Sequence, residues 1–252
     1  MGGPLDQPSA ACPPSSRSDL EALAGEVTSC RACPRLVAWR EEVAAHPRAA
    51  FAGQQYWGRP LAGFGDPAAR IAIVGLAPAA HGGNRTGRIF TGDRSGDWLF
   101  AALWRAGLAN QPSSTHLGDG LELSGAWVSA VVRCAPPGNR PLPAERDACL
   151  GFLRRELGLL GGLRVVVALG AFATDGVTRA LRARRVRFSH GAEASLAAPQ
   201  GRGEISLLSS YHPSQRNTFT KLLTEEMLDA VMERAKALAW PPGSARSGAG
   251  LG

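Results

Sequence analysis

The fold of this chain is decided by residues 71–93, which have the sequence IAIVGLAPAAHGGNRTGRIFTGD. The segment 71–74 is a short apolar run rich in β-branched residues, typical of a buried strand. The glycine-rich loop 75–93 follows and leads into 95–100, which has the features of a capped helix start. In open α/β sheets, ligands bind where carboxyl ends of strands meet amino ends of helices. The loop is therefore predicted to belong to a binding site.

Length and composition indicate one α/β domain of ordinary size. The chain has 252 residues and a formal net charge of +7, which permits a polyanionic partner such as nucleic acid. Only Lys221 and Lys236 are lysines, so the positive charge comes mostly from arginine. A genome with a codon bias toward Ala, Gly and Arg would give the same composition without a nucleic-acid partner. The sequence shows no signal peptide and no apolar run of membrane-spanning length. These features predict a cytoplasmic protein without a membrane partner.

Strand and helix patterns alternate four times between two tails. Residues 1–18 and 241–252 are rich in Pro, Ser and Gly and are predicted to be disordered, leaving a single domain over 19–240. The alternation predicts a three-layer α/β/α sandwich with a central, mostly parallel four-stranded sheet. The four main strands are predicted at 71–74, 126–132, 163–169 and 205–210, with an extra strand or hairpin within 186–197 and a final helix over 218–239.

The candidate site residues, which are mainly Gly, Pro, Asn, Arg, His and Asp, are concentrated in three loops that follow strands. These loops are 75–93, 133–141 and 211–217. Because the carboxyl ends of parallel strands lie at one edge of a sheet, these loops are predicted to converge. A further segment, 47–66, is irregular and aromatic. It is either a surface segment held to the domain by its rings or a stacking platform for bases.

Four cysteines form a second candidate site. Cys30 and Cys33 make a Cys-x-x-Cys pair, and Cys134 and Cys149 lie far downstream. Because a cytoplasmic chain seldom keeps disulfides, the set indicates a metal or cluster site, with four ordinary buried thiols as the alternative. Four thiolates suit zinc or an iron-sulfur cluster, and the spacing does not choose between them. Cys12 is given no role.

Taken in order, five motifs resemble the uracil-DNA glycosylase superfamily, and specifically its family 5 enzymes, over about 30–238. The motifs are CRACP at 30–34, GLAPA at 75–79, NRTGRIFTGD at 84–93, VRCAPPGNRP at 132–141 and YHPS at 211–214. The resemblance implies removal of deaminated bases from DNA in base excision repair. It also implies a [4Fe-4S] cluster on Cys30, Cys33, Cys134 and Cys149, with zinc as the alternative.

An enzyme of this kind must extrude a base and hydrolyse its N-glycosidic bond, so it needs a carboxylate near the sugar and a donor near the leaving base. Asp93 is the predicted carboxylate, orienting or deprotonating water; the alternative is a helix cap. His212 is the predicted donor to the departing base, with a histidine in a rigid turn as the alternative. Asn139 resembles a further catalytic residue, with a plain turn residue as the alternative.

The base itself is expected to contact residues of the same loops. Phe90 is the predicted stacking ring, with a core phenylalanine as the alternative. Ala77 and Ala130 stand where other branches of the superfamily carry polar side chains, so we expect a tolerant pocket that accepts hypoxanthine and xanthine besides uracil. The predicted substrate-binding residues are Gly75, Ala77, Pro78, Ala79, Phe90, Asn139 and His212.

The predicted partner is DNA, double- or single-stranded, bound by a monomer that associates with the nucleoid. Gln215 and Arg216 are candidates to enter the space that the base leaves, with a solvated arginine as the alternative, and several arginines are candidates for phosphate contacts. The predicted DNA-binding residues are Arg85, Arg88, Arg140, Ser214, Gln215 and Arg216, with Arg133 as a further candidate. The rival hypotheses are a zinc-stabilised nucleic-acid-binding module and a nucleotide-binding oxidoreductase.

Overall fold

The computed structural model describes residues 14–241, and a six-stranded sheet lies at its centre. The strand order is β1-β3-β2-β4-β6-β5. The four inner strands are parallel, and β1 and β5 run antiparallel to their neighbours at the two edges. The strands are β1 (Phe64–Gly65), β2 (Ile71–Gly75), β3 (Ala126–Ala130), β4 (Val165–Leu169), β5 (Glu193–Ala197) and β6 (Glu204–Ser210).

The mostly parallel sheet is confirmed, but the predicted number of four strands is wrong. The parallel strands are fully buried apolar runs, which the sequence reveals directly. The two additional strands lie at the edges, and β5 falls within 186–197, where an extra strand or hairpin was predicted. β1 has two residues, and β5 is largely exposed with one buried side chain, Leu196, so neither has a strong apolar pattern.

Helices cover both faces of the sheet. Ile71 and Ile73 pack in a cluster with α4 and α8, whereas Ala72 and Val74 pack in a second cluster with α1, α5 and α6. This division follows from the alternation of side chains along a strand and gives the predicted three layers. The helices are α1 (Pro14–Ser29), α2 (Pro34–Ala45), α3 (Gly83–Thr86), α4 (Arg94–Arg105), α5 (Pro143–Leu159), α6 (Ala171–Ala180), α7 (Gln215–Phe219) and α8 (Glu225–Ala239).

Two boundaries differ from the predicted ones. Helix α1 begins at Pro14, so 14–18 is helical instead of part of a tail; the rest of the predicted tails, 1–13 and 242–252, lies outside the described residues. The predicted helix 218–239 is two helices, because Thr224 accepts a hydrogen bond from Met227 N and caps a new helix. Among the helices of residues 14–241, none combines the length and apolar character that a bilayer crossing requires.

A buried ion pair holds the loop after β3 against the core. Arg133 is 1% exposed and donates to both carboxylate oxygens of Glu156, the shorter contact being 2.7 Å. Glu156 also accepts from Gly63 N and from the Ser129 hydroxyl. The predicted phosphate contact of Arg133 is therefore wrong, since its guanidinium is enclosed and already paired.

Replacing Glu156 with glutamine is expected to destabilise the fold strongly. The change keeps the size of the side chain but leaves the Arg133 charge buried without compensation, which costs about 3–5 kcal/mol. Urea unfolding followed by circular dichroism measures the loss. Glu26→Gln is the matched control, because its partner Arg155 is half exposed and such pairs contribute little. Equal shifts for the two variants would contradict a stabilising role for the buried pair.

Candidate active site

Three loops meet at the carboxyl edge of the parallel strands, as predicted, and border a cleft of about 520 Å³. Asp93 comes from the loop after β2, Asn139 from the loop after β3, and Gln215 from the segment after β6. The remaining lining residues are Trp39, Arg48, Phe51, Ala79, Ala80, His81, Gly82, Gly92, Pro136 and Gly138.

Asp93 is both a helix cap and a cleft residue. Its Oδ1 accepts from Gly96 N at 3.0 Å at the start of α4. Its Oδ2 lies over Gly82, where a Cβ would collide with it. Burial raises the pKa of Asp93, and the hydrogen bonds from the helix amides oppose that rise. The two roles weighed from the sequence are therefore compatible, because each uses a different carboxylate oxygen.

Phe90 connects the loop of Asp93 to His212. A Cβ on Gly75 would come within 2.5 Å of the Phe90 ring, so the ring occupies space that glycine leaves free. The centroids of the Phe90 and His212 rings are 5.7 Å apart, with 30° between the ring planes. Phe90 has a φ of +55°, a backbone strain that often marks functional sites. Gly75, Phe90 and His212 thus come together from three segments.

His212 is held in a tight turn. Its carbonyl accepts from Ser214 N at 2.7 Å and from Asn217 Nδ2 at 2.9 Å. Burial lowers the pKa of His212 to about 4, so the imidazole is neutral at pH 7. A neutral imidazole keeps one N–H donor and one acceptor nitrogen.

The other residues predicted to contact the base lie at the carboxyl edge of the sheet and differ in how deeply they are buried. Ala79 lines the cleft, whereas Ala77 packs partly against the core cluster that contains α5 and α6. Pro78 is buried, and its Cβ lies 3.2 Å from the position that a Cβ on Gly83 would take. Asn139 is exposed and has a φ of +56°.

The predicted DNA-binding side chains differ in accessibility. Arg88 is 8% exposed and pairs with Asp119 at 2.6 Å, which rules out the predicted phosphate contact. The guanidinium of Arg85 already donates hydrogen bonds to His81 O, Gln54 Oε1 and Gly92 O. Arg140 and Arg216 are exposed and form no ion pair within residues 14–241. Ser214 caps α7 by accepting from Asn217 N, and Gln215 is exposed on the cleft.

The four cysteines of the predicted cluster site border a second, small cavity beneath α2. Cys30, Cys33, Cys134 and Cys149 all line it, and none forms a disulfide. Burial raises the pKa of Cys134 to about 11. No three side chains of the metal-binding types within residues 14–241 are placed to hold one metal ion. The cavity therefore brings the four thiols together without by itself defining a metal site.

A buried arginine faces the same cavity. Arg40 is 2% exposed and donates from Nη1 to Cys134 Sγ at 3.0 Å and from Nη2 to the Cys30 carbonyl at 3.2 Å. The carboxylate nearest to it is that of Glu41, at 3.8 Å. A buried cation with so little compensation fits an anionic group at the thiols.

Four larger side chains of the cleft were not among the predicted site residues: Trp39, Arg48, Phe51 and His81. The aromatic richness of 47–66 was the available signal for Phe51, and His81 lies inside the glycine-rich loop without an assigned role. Both alternatives for the aromatic segment retain support, because Tyr56 is 7% exposed and anchors the segment while Phe51 reaches the cleft.

Comparisons with known proteins agree with this architecture. The sequence model of the uracil DNA glycosylase superfamily matches residues 62–236. The type-5 uracil-DNA glycosylase of Thermus thermophilus is 52% identical over 223 residues, covering 88% of this chain and 99% of that protein. That of Mycobacterium tuberculosis is 52% identical over 225 residues, covering 88% and 81%.

The chain therefore belongs to the uracil-DNA glycosylase superfamily. Within it, the type-5 proteins match better than the type-4 proteins. The type-5 protein of Pyrobaculum aerophilum is 44% identical over 211 residues, covering 84% of this chain and 89% of its own length. The type-4 protein of the same organism is 29% identical over 164 residues, covering 64% and 74%. The predicted family, and its family 5 branch, is confirmed.

The imidazole of His212 is expected to remain neutral as the pH falls from 7 to 5. Because its folded pKa of about 4 lies below the unfolded value of about 6.5, protonation favours unfolding, and stability is lost as the pH falls from 6.5 toward 4. NMR titration of ¹⁵N-labelled histidines measures the midpoint, with His212→Gln to assign the signal. A midpoint near 6.5 would show that the ring is fully solvated.

Proposed function

We propose that this protein is a monofunctional DNA glycosylase of base excision repair, which removes uracil, hypoxanthine and xanthine from DNA and leaves an abasic site. The observation that carries the proposal is at the carboxyl edge of the sheet, where the desolvated carboxylate of Asp93 lines the cleft and Phe90, from the same loop, lies against the neutral imidazole of His212 behind that lining. The proposal also rests on membership of the uracil-DNA glycosylase superfamily. A DNA substrate is consistent with a cytoplasmic, nucleoid-associated protein.

In the proposed reaction, water attacks C1′ of the deoxyribose and the N-glycosidic bond breaks. The bonding electron pair leaves with the base, and positive charge develops on the sugar. Asp93 accepts a hydrogen bond or the proton from the water and stabilises the oxocarbenium-like sugar. Its Oδ2 is proposed for this role, because Oδ1 is engaged with Gly96 N.

His212 is proposed to stabilise the departing base. The neutral ring donates one N–H to a carbonyl oxygen of the base as negative charge accumulates there. A single preorganised donor of this kind contributes roughly 3 kcal/mol to transition-state stabilisation. A low pKa suits this role, since the donor then keeps one defined proton throughout the physiological range.

Phe90 is proposed to stack on the extruded base, and Gly75 to permit its ring position. Asn139 is proposed to contact the substrate from the neighbouring loop. Ala130 is fully buried and pairs in register with Gly75 at the end of β3. A methyl group there offers no hydrogen bonds to the Watson–Crick edge, so discrimination between carbonyl-bearing bases is weak. This supports the wider substrate range.

Exposed cations are proposed to hold the DNA backbone. Arg140 and Arg216 are free to contact phosphates on either side of the cleft residues Asn139 and Gln215. Ser214 caps α7 and Gln215 begins it, and both are proposed to contact the DNA, with Gln215 entering the space that the extruded base leaves. Arg85 contributes charge at longer range, because its donors are already engaged.

Cys30, Cys33, Cys134 and Cys149 are proposed to hold a [4Fe-4S] cluster. The four thiols border one cavity and are a ligand set that such a cluster accepts, and the similarity to type-5 uracil-DNA glycosylases favours the cluster over zinc. The buried Arg40 guanidinium supplies the positive charge that an anionic cluster needs. When bound, such a group would link α2 to the loop after β3 and to α5, which is a structural contribution.

The proposed function is tested by base release from duplexes that carry uracil, hypoxanthine or xanthine. Wild-type protein is expected to release uracil and hypoxanthine, and Asp93→Asn to lower single-turnover rates on both by about 10²–10⁴-fold, the range for a lost acid–base group. Asp97→Asn is the matched control on the same helix, outside the cleft lining.

Binding to a duplex with a tetrahydrofuran abasic analogue completes this test. Asp93→Asn is expected to bind it as tightly as wild type, which separates catalysis from DNA binding. If the wild-type protein releases no base from any of the three lesions, the proposed glycosylase activity is wrong. Release of uracil without any release of hypoxanthine would overturn only the wider substrate range.

The proposed cluster predicts brown protein that contains iron and acid-labile sulfide. Cys134→Ser is expected to lose visible absorbance and most of its iron, because one of four ligands is removed. Cys12→Ser is the control, since Cys12 lies outside the motifs that imply the ligand set. Stoichiometric zinc in place of iron and sulfide would favour the alternative metal.

A further inference from the structure

Part of the cleft is lined by side chains that the proposed reaction does not use. Three of them, Trp39, Arg48 and His81, bear hydrogen-bond donors, and we refer to them as the donor wall. Phe51 joins two of its members. The Phe51 and His81 rings stack with centroids 6.3 Å apart, and Phe51 N donates to Arg48 O at 2.8 Å.

Arg48 is the cation of the donor wall. It is exposed and forms no ion pair or side-chain hydrogen bond within residues 14–241. The guanidinium of Arg85 lies 4.2 Å from the centroid of the Phe51 ring and adds positive charge nearby. Arg48 and Arg85 therefore place positive charge beside His81, and the charge of Arg85 also reaches Asp93.

His81 contributes an oriented ring. Its Nδ1 lies 3.0 Å from the Tyr56 hydroxyl, and Tyr56 itself is buried. Burial, together with the charges of Arg48 and Arg85, lowers the pKa of His81, so its ring is neutral at pH 7. When the phenol donates to Nδ1, the ring proton resides on Nε2, which is then a donor available to a ligand.

Trp39 contributes an unused donor. Its indole N–H is buried and has no hydrogen-bond partner among the described residues. An indole nitrogen only donates, and a buried donor without a partner costs free energy. Trp39 itself lines the cleft, so a ligand acceptor that reached the indole N–H would recover that cost.

We infer that the donor wall binds one backbone phosphate of the DNA, adjacent to the extruded nucleotide. Its three groups comprise a cation and two neutral donors and include no acceptor, which matches a phosphate, whereas a base edge presents donors as well as acceptors. The choice of ligand rests on the proposed function. A phosphate fixed here would hold the sugar in position relative to Asp93.

The inference is tested by binding to duplexes that carry the tetrahydrofuran abasic analogue. Arg48→Gln is expected to weaken binding about tenfold at low salt and to reduce the slope of log K against log salt by about 0.9, the value for one lost phosphate contact. His81→Ala is expected to weaken binding without changing the slope, because a neutral donor is lost. Arg164→Gln is the control, an exposed arginine at the opposite edge of the sheet.

Methylphosphonate substitution identifies the phosphate. Single neutral substitutions are placed in turn at the phosphates flanking the abasic analogue. At one position, the effects of the substitution and of Arg48→Gln are expected to be non-additive, because each removes the same contact. Tyr56→Phe, which acts through His81, is expected to weaken binding to the unmodified duplex but not to the duplex neutralised at that position.

The phosphate site would be overturned if the effects of Arg48→Gln and of the methylphosphonate on binding were additive at every phosphate. It would also be overturned if Arg48→Gln left the salt slope unchanged. Base release by the wild-type protein is measured in parallel. If the wild-type protein releases bases but Arg48→Gln and the methylphosphonates act additively, the donor wall does not bind a phosphate and the proposed glycosylase activity stands. Coupling without base release would support the phosphate site in a DNA-binding protein that lacks the proposed activity.

Discussion

At Gly75 the central strand of the sheet ends without a side chain, and the Phe90 ring occupies the space that a Cβ would need. This contact brings a long glycine-rich loop back over the strand from which it started. It also places Phe90 against His212, which comes from the far side of β4. The strained φ of Phe90 is maintained by this packing. A larger residue at position 75 would displace the ring and disconnect the three segments of the site.

Desolvation at this edge has opposite electrostatic consequences for the two principal groups. It raises the pKa of Asp93 and lowers the pKa of His212, so burial favours the neutral form of each. Asp93 is compensated by the amides at the start of α4, which favour its carboxylate. His212 forms no ion pair with a carboxylate of residues 14–241 and stays neutral. The same environment thus suits one group to accept a proton and the other to donate a hydrogen bond.

The buried arginines of the sequence motifs stabilise the fold, although their motifs predicted contacts with phosphates. Arg88 and Arg133 pair with Asp119 and Glu156, and these pairs fix the loops after β2 and β3. Arg40 instead faces thiols, and its carbonyl accepts from Asn84 of the glycine-rich loop at 3.2 Å. The cysteine cavity and the cleft are therefore linked through α2, which lines the cavity with Arg40 and the cleft with Trp39.

The sequence by itself determined the α/β class, the parallel central strands, the convergence of three loops and the grouping of four cysteines. Apolar periodicity and the positions of Gly and Pro carry the information on the fold locally, whereas the family resemblance groups the four cysteines. Tertiary structure alone decided that Arg88 and Arg133 are enclosed, that the short strand β1 completes one edge of the sheet, and that Trp39 and Arg48 reach the cleft. The physical reason is that burial and ion pairing depend on partners distant in the chain, such as Asp119 and Glu156, which no local pattern reveals.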